Sequence, residues 1–395
     1  MKKTLLITLD FAPMVGGIAT YWSNLCRNLP REDIVVLAPE AASSLDFDMR
    51  QPYLIYRYNL LWPASPERKR GEQGQWIWPK WLPFLRHAWK ICCQENIQQI
   101  VVGQILPGGT IALILKLFLR IPYIVSFHGM DIIRCGLPRR WQGRKKWLAK
   151  KILANADGII TNSEFTMGLV QRFTTKLPEQ QIVVYPCPNE NVILMPRAAE
   201  LLARRLGLDK FANKRVLLTV GRLVERKGHD KVISALQFLR DKYPDLVYLI
   251  VGRGQNQSKL ERMIQDENLS DCVYLFTKVR DEELPLFYEL ANIFIMPSRE
   301  LPDGDVEGFG IVYLEAALCG KPVIAGKSGG VSEAVEHNKT GLLVDPEDVG
   351  DIVKAISKLL DDGQFADLLG QRANARTRRE FQWAKQAEKL VKILE

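Results

Sequence analysis

Residues 215–228 read RVLLTVGRLVERKG. Arg215–Val220 is a short apolar, β-branched run; Gly221 breaks it, and a basic loop closes on Gly228 ahead of a helical pattern at Lys231–Tyr243. The same rhythm continues on both sides. Downstream, runs at Val247–Val251, Val273–Phe276, Ile293–Met296, Pro322–Ala325 and Gly341–Val344 alternate with helical patterns at Gln257–Asn268, Glu282–Leu290, Ile311–Leu318 and Val349–Leu360. Upstream, runs at Thr4–Leu9, Ile34–Leu37, Ile100–Val102, Tyr123–Phe127, Gly158–Thr161 and Ile182–Tyr185 alternate with amphipathic stretches such as Thr20–Leu29 and Arg144–Asn155. Strands alternating with helices imply parallel sheets in doubly wound units. Two such sets imply an α/β protein of two Rossmann-like domains. The join is expected in the Pro/Asn-rich stretch around Tyr185–Pro196, giving domains at 1–195 and 196–377. Ligands of open α/β sheets bind beyond the carboxyl ends of the strands, so the expected site is a cleft between two facing domains.

A chain of 395 residues is long enough for two domains. With 47% hydrophobic and 25% charged residues it is neither collagen-like, disordered nor a coiled coil. Seven cysteines without a Cys-x-x-Cys pair, and only four histidines, argue against zinc and disulfide frameworks. A reducing cytoplasm is the simpler setting. The opening MKKTLLITLDFAP reaches Asp10 too soon for the apolar region of a signal peptide and reads as a buried strand. The longest later apolar stretch, Ile111–Leu119, contains Lys116 and falls far short of the roughly 20 residues of a membrane span.

The net charge of +9 sits in one half. Residues 1–195 hold 24 Lys+Arg against 14 Asp+Glu, and residues 196–395 hold 30 against 31. Trp62–Lys90 carries five tryptophans (Trp62, Trp76, Trp78, Trp81, Trp89) and six basic residues. Ile132–Ala156 has no acidic residue but eight basic ones, with Trp141 and Trp147. A helix beginning near Arg139 would place Trp141, Arg144/Lys145 and Leu148 on one surface, suited to the headgroups of an anionic bilayer. A solvated basic helix on an ordinary core is the competing reading. Nucleic acid is disfavoured because no recognition-motif spacing is present.

Several turns after strands carry chemistry. Gly16-Gly17 at a strand–helix junction offers backbone N–H groups to an anion, or is merely a tight turn. It belongs to no Gly-x-Gly-x-x-Gly or phosphate-loop pattern. His128, directly after Tyr123–Phe127, can hydrogen-bond a ligand hydroxyl, move a proton, or cap a turn. Arg222 and Lys227, each near a glycine, suit the clasping of adjacent phosphates, with Arg226 read as solvated. Gly252, in Gly252-Arg253-Gly254, is placed near the same ligand, or in a plain turn. The segment EGFGIVYLE, Glu307–Glu315, runs from a Pro/Asp/Gly loop into an apolar helix. Phe309 and Gly310 would present N–H groups at its start, while Glu307 and Glu315 bracket one ligand. A paired helical Glu315 is the plainer alternative.

GRLVERKG, EGFGIVYLEAALCGKPVIAGKSGGVSEAV and TGLLVDPED resemble the nucleotide-sugar-binding domain of family 4 of the retaining glycosyltransferases, which have the two-domain GT-B architecture. The likeness runs from Val216 to Asp348 and thins in the first half to PMVGGIATY and SFHGMD. The resemblance implies that Arg222 and Lys227 hold the donor diphosphate, Glu307 the donor sugar hydroxyls and Glu315 the ribose. It places Gly16-Gly17 under the phosphates or acceptor and His128 beside the reactive sugar. It implies no cofactor and no required metal, the basic pair and helix dipole stabilising the leaving diphosphate. Asp303-Gly-Asp305 has metal-site spacing but lies in the loop before Glu307.

DGDVEGFGIVYLEA is similar to mannosyltransferases acting on phosphatidylinositol and other lipid or polysaccharide precursors. That favours GDP-mannose over a UDP-sugar, a lipid-linked or saccharide acceptor, and a cytoplasmic enzyme peripheral on the inner face of the cell membrane. A soluble glycosyltransferase making a small glycoside or glucan, and a nucleotide-sugar epimerase, are the enzyme alternatives. A catalytically dead nucleotide-sugar sensor would be expected to lack Glu307 or the basic pair. The amphipathic end, residues 378–395, is expected to pack back on the first domain.

Overall fold

The computed structural model describes residues 1–14, 16–58, 82–136, 142–189 and 206–395. Trp62, Trp76, Trp78, Trp81, Arg139, Arg140 and Trp141 lie outside the described residues. The chain forms two compact units, one of Met1–Tyr185 with Trp383–Glu395 and one of Pro186–Gln382.

The first unit is built on β1 (Thr4–Ile7), β2 (Ile34–Pro39), β3 (Leu54–Tyr58), β4 (Gln99–Val102), β5 (Tyr123–Phe127), β6 (Gly158–Thr161) and β7 (Gln180–Val183). They form one parallel sheet in the order β3-β2-β1-β4-β5-β6-β7. Alternate side chains bury on opposite faces, as the two-residue period of a strand requires. Leu5, Ile7, Val35, Leu37, Val125 and Phe127 pack with helices Leu82–Gln94, Gly108–Leu119 and Gln142–Asn155. Leu6, Val36 and Ile124 pack on the other face with helices Gly17–Arg27 and Trp383–Leu394. The last helix is fixed by Ala387, Leu390 and Leu394 in that core. Polar links add to it: the Tyr185 N–H donates to Gln386 Oε1 (3.0 Å) and the Lys2 N–H to the Leu394 carbonyl (3.1 Å).

Several strand ends shift by one or two residues, and two strands differ most from the sequence reading. β3 is absent from the sequence reading: LIYRY is a short run broken by Arg57, and most of it is only partly buried at the sheet edge. β7 begins two residues before the expected Ile182, at a Gln-Gln pair that only an edge strand tolerates. The basic helix starts at Gln142, and Leu148 turns in to the core with Ala149, Ile152 and Leu153. Leu148 is thus half-buried at the edge of the face on which Arg144 and Lys145 are exposed.

The second unit carries β8 (Arg215–Val220), β9 (Leu246–Val251), β10 (Val273–Phe276), β11 (Ile293–Met296), β12 (Val323–Gly326) and β13 (Leu342–Val344). They are parallel, in the order β10-β9-β8-β11-β12-β13. The order reverses at β8/β11, which makes the carboxyl ends of these two strands the switch point of the sheet. Among the described residues no helix is long and apolar enough to cross a membrane.

Candidate active site

The switch point of the second unit gathers the charged residues. β8 delivers Gly221 and Arg222, a 3₁₀ turn carries Glu225–Lys227, and Gly228 opens helix His229–Leu239. Gly228 has φ +73°, and a Cβ there would lie 2.2 Å from the Pro297 carbonyl oxygen, so the loop closes tightly on the chain leaving β11. His229 is buried, and burial pushes its imidazole down to about 4. The neutral ring lies 3.3 Å from the Arg222 carbonyl through Nε2 and fixes that turn from beneath.

Arg226 is not solvated. Its side chain is 7% exposed, and its Nη1 donates to Glu307 Oε2 (2.6 Å) while its Nε lies 3.0 Å from Asp305 Oδ1. Lys227 Nζ donates to the same Glu307 oxygen. In sequence Arg226 stands apart from the carboxylates that enclose it, which a loop about eighty residues later brings to it. Asp305, read from its spacing as one half of a possible metal pair, is an ion-pair partner of Arg226.

Glu307 is locked at both ends. Its carbonyl accepts the Gly330 N–H (3.0 Å), and Gly329 permits the approach, since a Cβ there would sit 2.1 Å from that oxygen. Burial alone would raise its carboxyl, but Lys227 and then Arg226 outweigh this and hold it down at about 2. Glu307 is thus an ionised carboxylate throughout the physiological range.

Gly310 (φ +95°) starts helix Ile311–Leu318, and a Cβ on it would strike the Tyr313 ring at 2.4 Å. Phe309, beside it, is a core side chain, 2% exposed, with its ring 5.7 Å from that of Phe381. Glu315, on the second turn, accepts a hydrogen bond from the Tyr288 hydroxyl (2.7 Å). Burial raises its carboxyl, with Tyr288 opposing. Gly252 is required by the fold itself: at φ +151° a Cβ would lie 1.8 Å from the Gly221 carbonyl oxygen.

In the first unit the candidate residues also follow strands. Gly16 precedes and Gly17 opens helix Gly17–Arg27 after β1. Gly16 is extended, and a Cβ on either glycine would meet nothing within 4 Å among the described residues. The protein's own packing therefore does not demand glycine there.

His128 follows β5, edge-on to Tyr21 (5.1 Å between centroids, 81°) and near Trp22 (6.1 Å, 84°). Its Nε2 lies 3.4 Å from Ser126 Oγ. Burial pushes it down to about 4, so at neutral pH it is an uncharged hydrogen-bonding group and holds no proton to give as an imidazolium. Its backbone N–H donates to Asp131 Oδ1 (3.1 Å), a carboxyl that burial raises to about 6 against the backbone N–H groups facing it.

Of the residues read from sequence, Lys227 and Glu307 are in direct contact, and Arg222, Gly252, Gly310 and Glu315 lie on the same unit. Gly16, Gly17 and His128 lie on the other. Sequence reasoning missed Arg226, Asp305, His229, Tyr288 and Arg299. Arg299 is a buried guanidinium held on Asp230 by Nη1 (3.1 Å) and Nη2 (2.9 Å), and its N–H donates to the Arg226 carbonyl (2.8 Å). A charged residue three positions after β11, in a chain segment otherwise buried, was the available signal.

Two doubly wound parallel units with this cluster at a switch point are the architecture of the GT-B glycosyltransferases. The structure is similar over 99% of both chains to Anabaena HepE in complex with UDP (TM-score 0.79, 20% identity). It is equally similar to the sucrose-phosphate synthase of Thermosynechococcus elongatus, over 100% of this chain and 98% of that one (TM-score 0.79, 22% identity). Residues 15–188 match the family described as Glycosyltransferase Family 4, and residues 205–376 that described as Glycosyl transferases group 1. Over 400 residues, all of this chain and 98% of the relative, it is 31% identical to the GDP-mannose-dependent monoacylated alpha-(1-6)-phosphatidylinositol monomannoside mannosyltransferase of Corynebacterium glutamicum. A Mycolicibacterium smegmatis enzyme, the GDP-mannose-dependent alpha-(1-6)-phosphatidylinositol monomannoside mannosyltransferase, is 29% identical over 99% of this chain and 97% of its own. The chain belongs to family 4 of the glycosyltransferases, and it is an enzyme of that class.

Proposed function

We propose that the chain moves a hexose, mannose from GDP-mannose, to a lipid-linked acceptor with retention of configuration, at the cytoplasmic face of the membrane. The observation that carries the donor side is the buried cluster of Lys227, Arg226 and Glu307 beneath exposed Arg222. Arg222 and Lys227 meet the diphosphate, and their charge stabilises it as it leaves, without a metal. Glu307, kept ionised, accepts hydrogen bonds from sugar hydroxyls, and Glu315 accepts them from the ribose. His128, uncharged, hydrogen-bonds a sugar hydroxyl. The choice of mannose and of a phosphatidylinositol-type acceptor rests on the full-length likeness to the two actinobacterial enzymes.

Membrane docking is supported by the charge of the first unit and by exposed aromatics on its helices. Trp147 is 62% exposed, with Lys151 Nζ 5.2 Å from its ring centroid. Trp89 and Phe118, also exposed, lie 6.1 Å apart. Aromatic rings flanked by lysine and arginine suit the headgroup layer of an anionic bilayer.

Thermal-shift measurements with GDP-mannose, UDP-glucose, UDP-GlcNAc and UDP-galactose test the donor, and GDP-mannose should stabilise most. Labelled GDP-mannose with phosphatidylinositol mannoside vesicles tests the acceptor, and label should enter the lipid. Stabilisation by a UDP-sugar alone, or label only in water-soluble product, would replace this reading. Co-sedimentation with anionic vesicles at low salt tests the docking; no binding would remove it.

A further inference from the structure

Lys227 cannot serve a diphosphate while its ammonium is spent on Glu307. The two are in direct contact, both nearly buried (side chains 9% and 13% exposed), and a buried pair resists separation because each ion would be left uncompensated. The fold supplies a second cation for the same oxygen. Arg226 Nη1 lies 2.6 Å from Glu307 Oε2, and Arg226 Nε lies 3.0 Å from Asp305 Oδ1. Its backbone is clamped as well, since the Arg226 carbonyl accepts the Arg299 N–H (2.8 Å) and the Arg299 side chain is itself held on Asp230. Arg226 is therefore fixed from three sides, whereas the only ion-pair partner Lys227 has among the described residues is Glu307.

We propose that Arg226 is a positioning residue for donor binding, acting through Glu307 and resting on the donor reading above. It is the permanent partner of Glu307 and Lys227 the exchangeable one, so Lys227 can turn to a nucleoside diphosphate without stranding the carboxylate. Two cations and two carboxylates make the resting cluster neutral, and an arriving diphosphate recruits Lys227 by offering it the charge that Glu307 gives up. Without Arg226, Glu307 and Lys227 would close into a single pair that competes with the diphosphate. What this requires is a fixed positive charge between the two carboxylates, Nη1 donating to Glu307 and Nε standing 3.0 Å from Asp305 Oδ1 as an ion-pair contact.

Calorimetric titration of GDP and of guanosine into the whole chain tests this, with thermal unfolding of each nucleotide-free variant confirming that it folds. Arg226→Gln should weaken GDP about tenfold and leave guanosine within about twofold, because only the phosphates compete for Lys227. Glu307→Gln should bind GDP at least as tightly as the wild type, and adding Arg226→Gln to it should change nothing further, the coupling expected of residues that share one partner. Arg226→Lys, which keeps the charge beside Glu307, should stay within about threefold of wild type if charge and not the guanidinium fork is what matters. Unchanged GDP affinity in Arg226→Gln alongside a loss in Lys227→Ala would overturn the proposal and leave the donor reading standing. So would an equal cost of Arg226→Gln with and without Glu307, or a tenfold loss in Arg226→Lys. Unchanged affinity in Lys227→Ala would instead strike the donor reading itself.

Discussion

The two units place their candidate residues by the same device and equip them in opposite ways. Each puts them where strands of a parallel sheet end. In the second unit they are ions buried against one another, Lys227 and Arg226 on Glu307, each fixed by a partner within the protein. In the first they are an uncharged imidazole and two glycines whose Cβ positions meet no other described residue within 4 Å. The lesson is one of division. On the donor reading proposed above, the second unit would supply the charge that holds a diphosphate, and the first an uncharged hydrogen-bonding group.

This contrast can be broken. The largest effect is expected at Glu307: Glu307→Gln keeps the shape but removes the charge, and kcat should fall about 10²–10³-fold, as when a preorganised electrostatic contact is lost. Steady-state kinetics check it; a loss within threefold would mean the charged cluster is only structural. His128→Asn is expected to be milder, about tenfold in kcat with donor affinity little changed, since a neutral hydrogen bond is the weaker contact. A loss equal to that of Glu307→Gln would erase the distinction between the units.

A third expectation concerns pH, where the units should behave alike. His128 and His229, one in each unit, are both held down near 4 by burial. Unfolded histidines titrate near 6.5. Between about 6.5 and about 4 the unfolded chain therefore binds more protons, and stability should fall as pH falls, by on the order of 2 kcal/mol per histidine. Glu307, held down at about 2, adds its loss only below the ordinary carboxylate range of about 4.5. Urea midpoints against pH read this directly, and His229→Gln should flatten the upper part of the fall. The smallest effect is expected at Gly16→Ala. Its extended backbone and open surroundings predict a stability change within about 0.5 kcal/mol, so any loss of turnover there would report a ligand and not the fold.

The alternation of apolar runs and helical patterns made both parallel sheets legible, because a strand buried on two faces has no choice but to be apolar. β3 escaped because its apolar run is only three residues long before Arg57, which an edge strand leaves partly exposed. The site was legible where a residue type is rare at its place, as for Glu307 and Glu315 flanking an apolar helix start. It was not legible where meaning comes from a distant partner. Nothing near Arg226 in the sequence shows that Asp305 and Glu307 will enclose it, and nothing near Gly252 shows that the Gly221 carbonyl will press against it. Lys227 lies between these cases: its type and spacing pointed to phosphate, and its contact with Glu307 became visible only in the folded chain.

The most direct test of the donor assignment is the affinity of GDP-mannose for the wild type and for Lys227→Ala, measured by calorimetry at matched salt. Binding by the wild type and at least about tenfold weakening in the variant is the predicted result, a buried cation having been removed from the diphosphate. Equal affinity in both would contradict it.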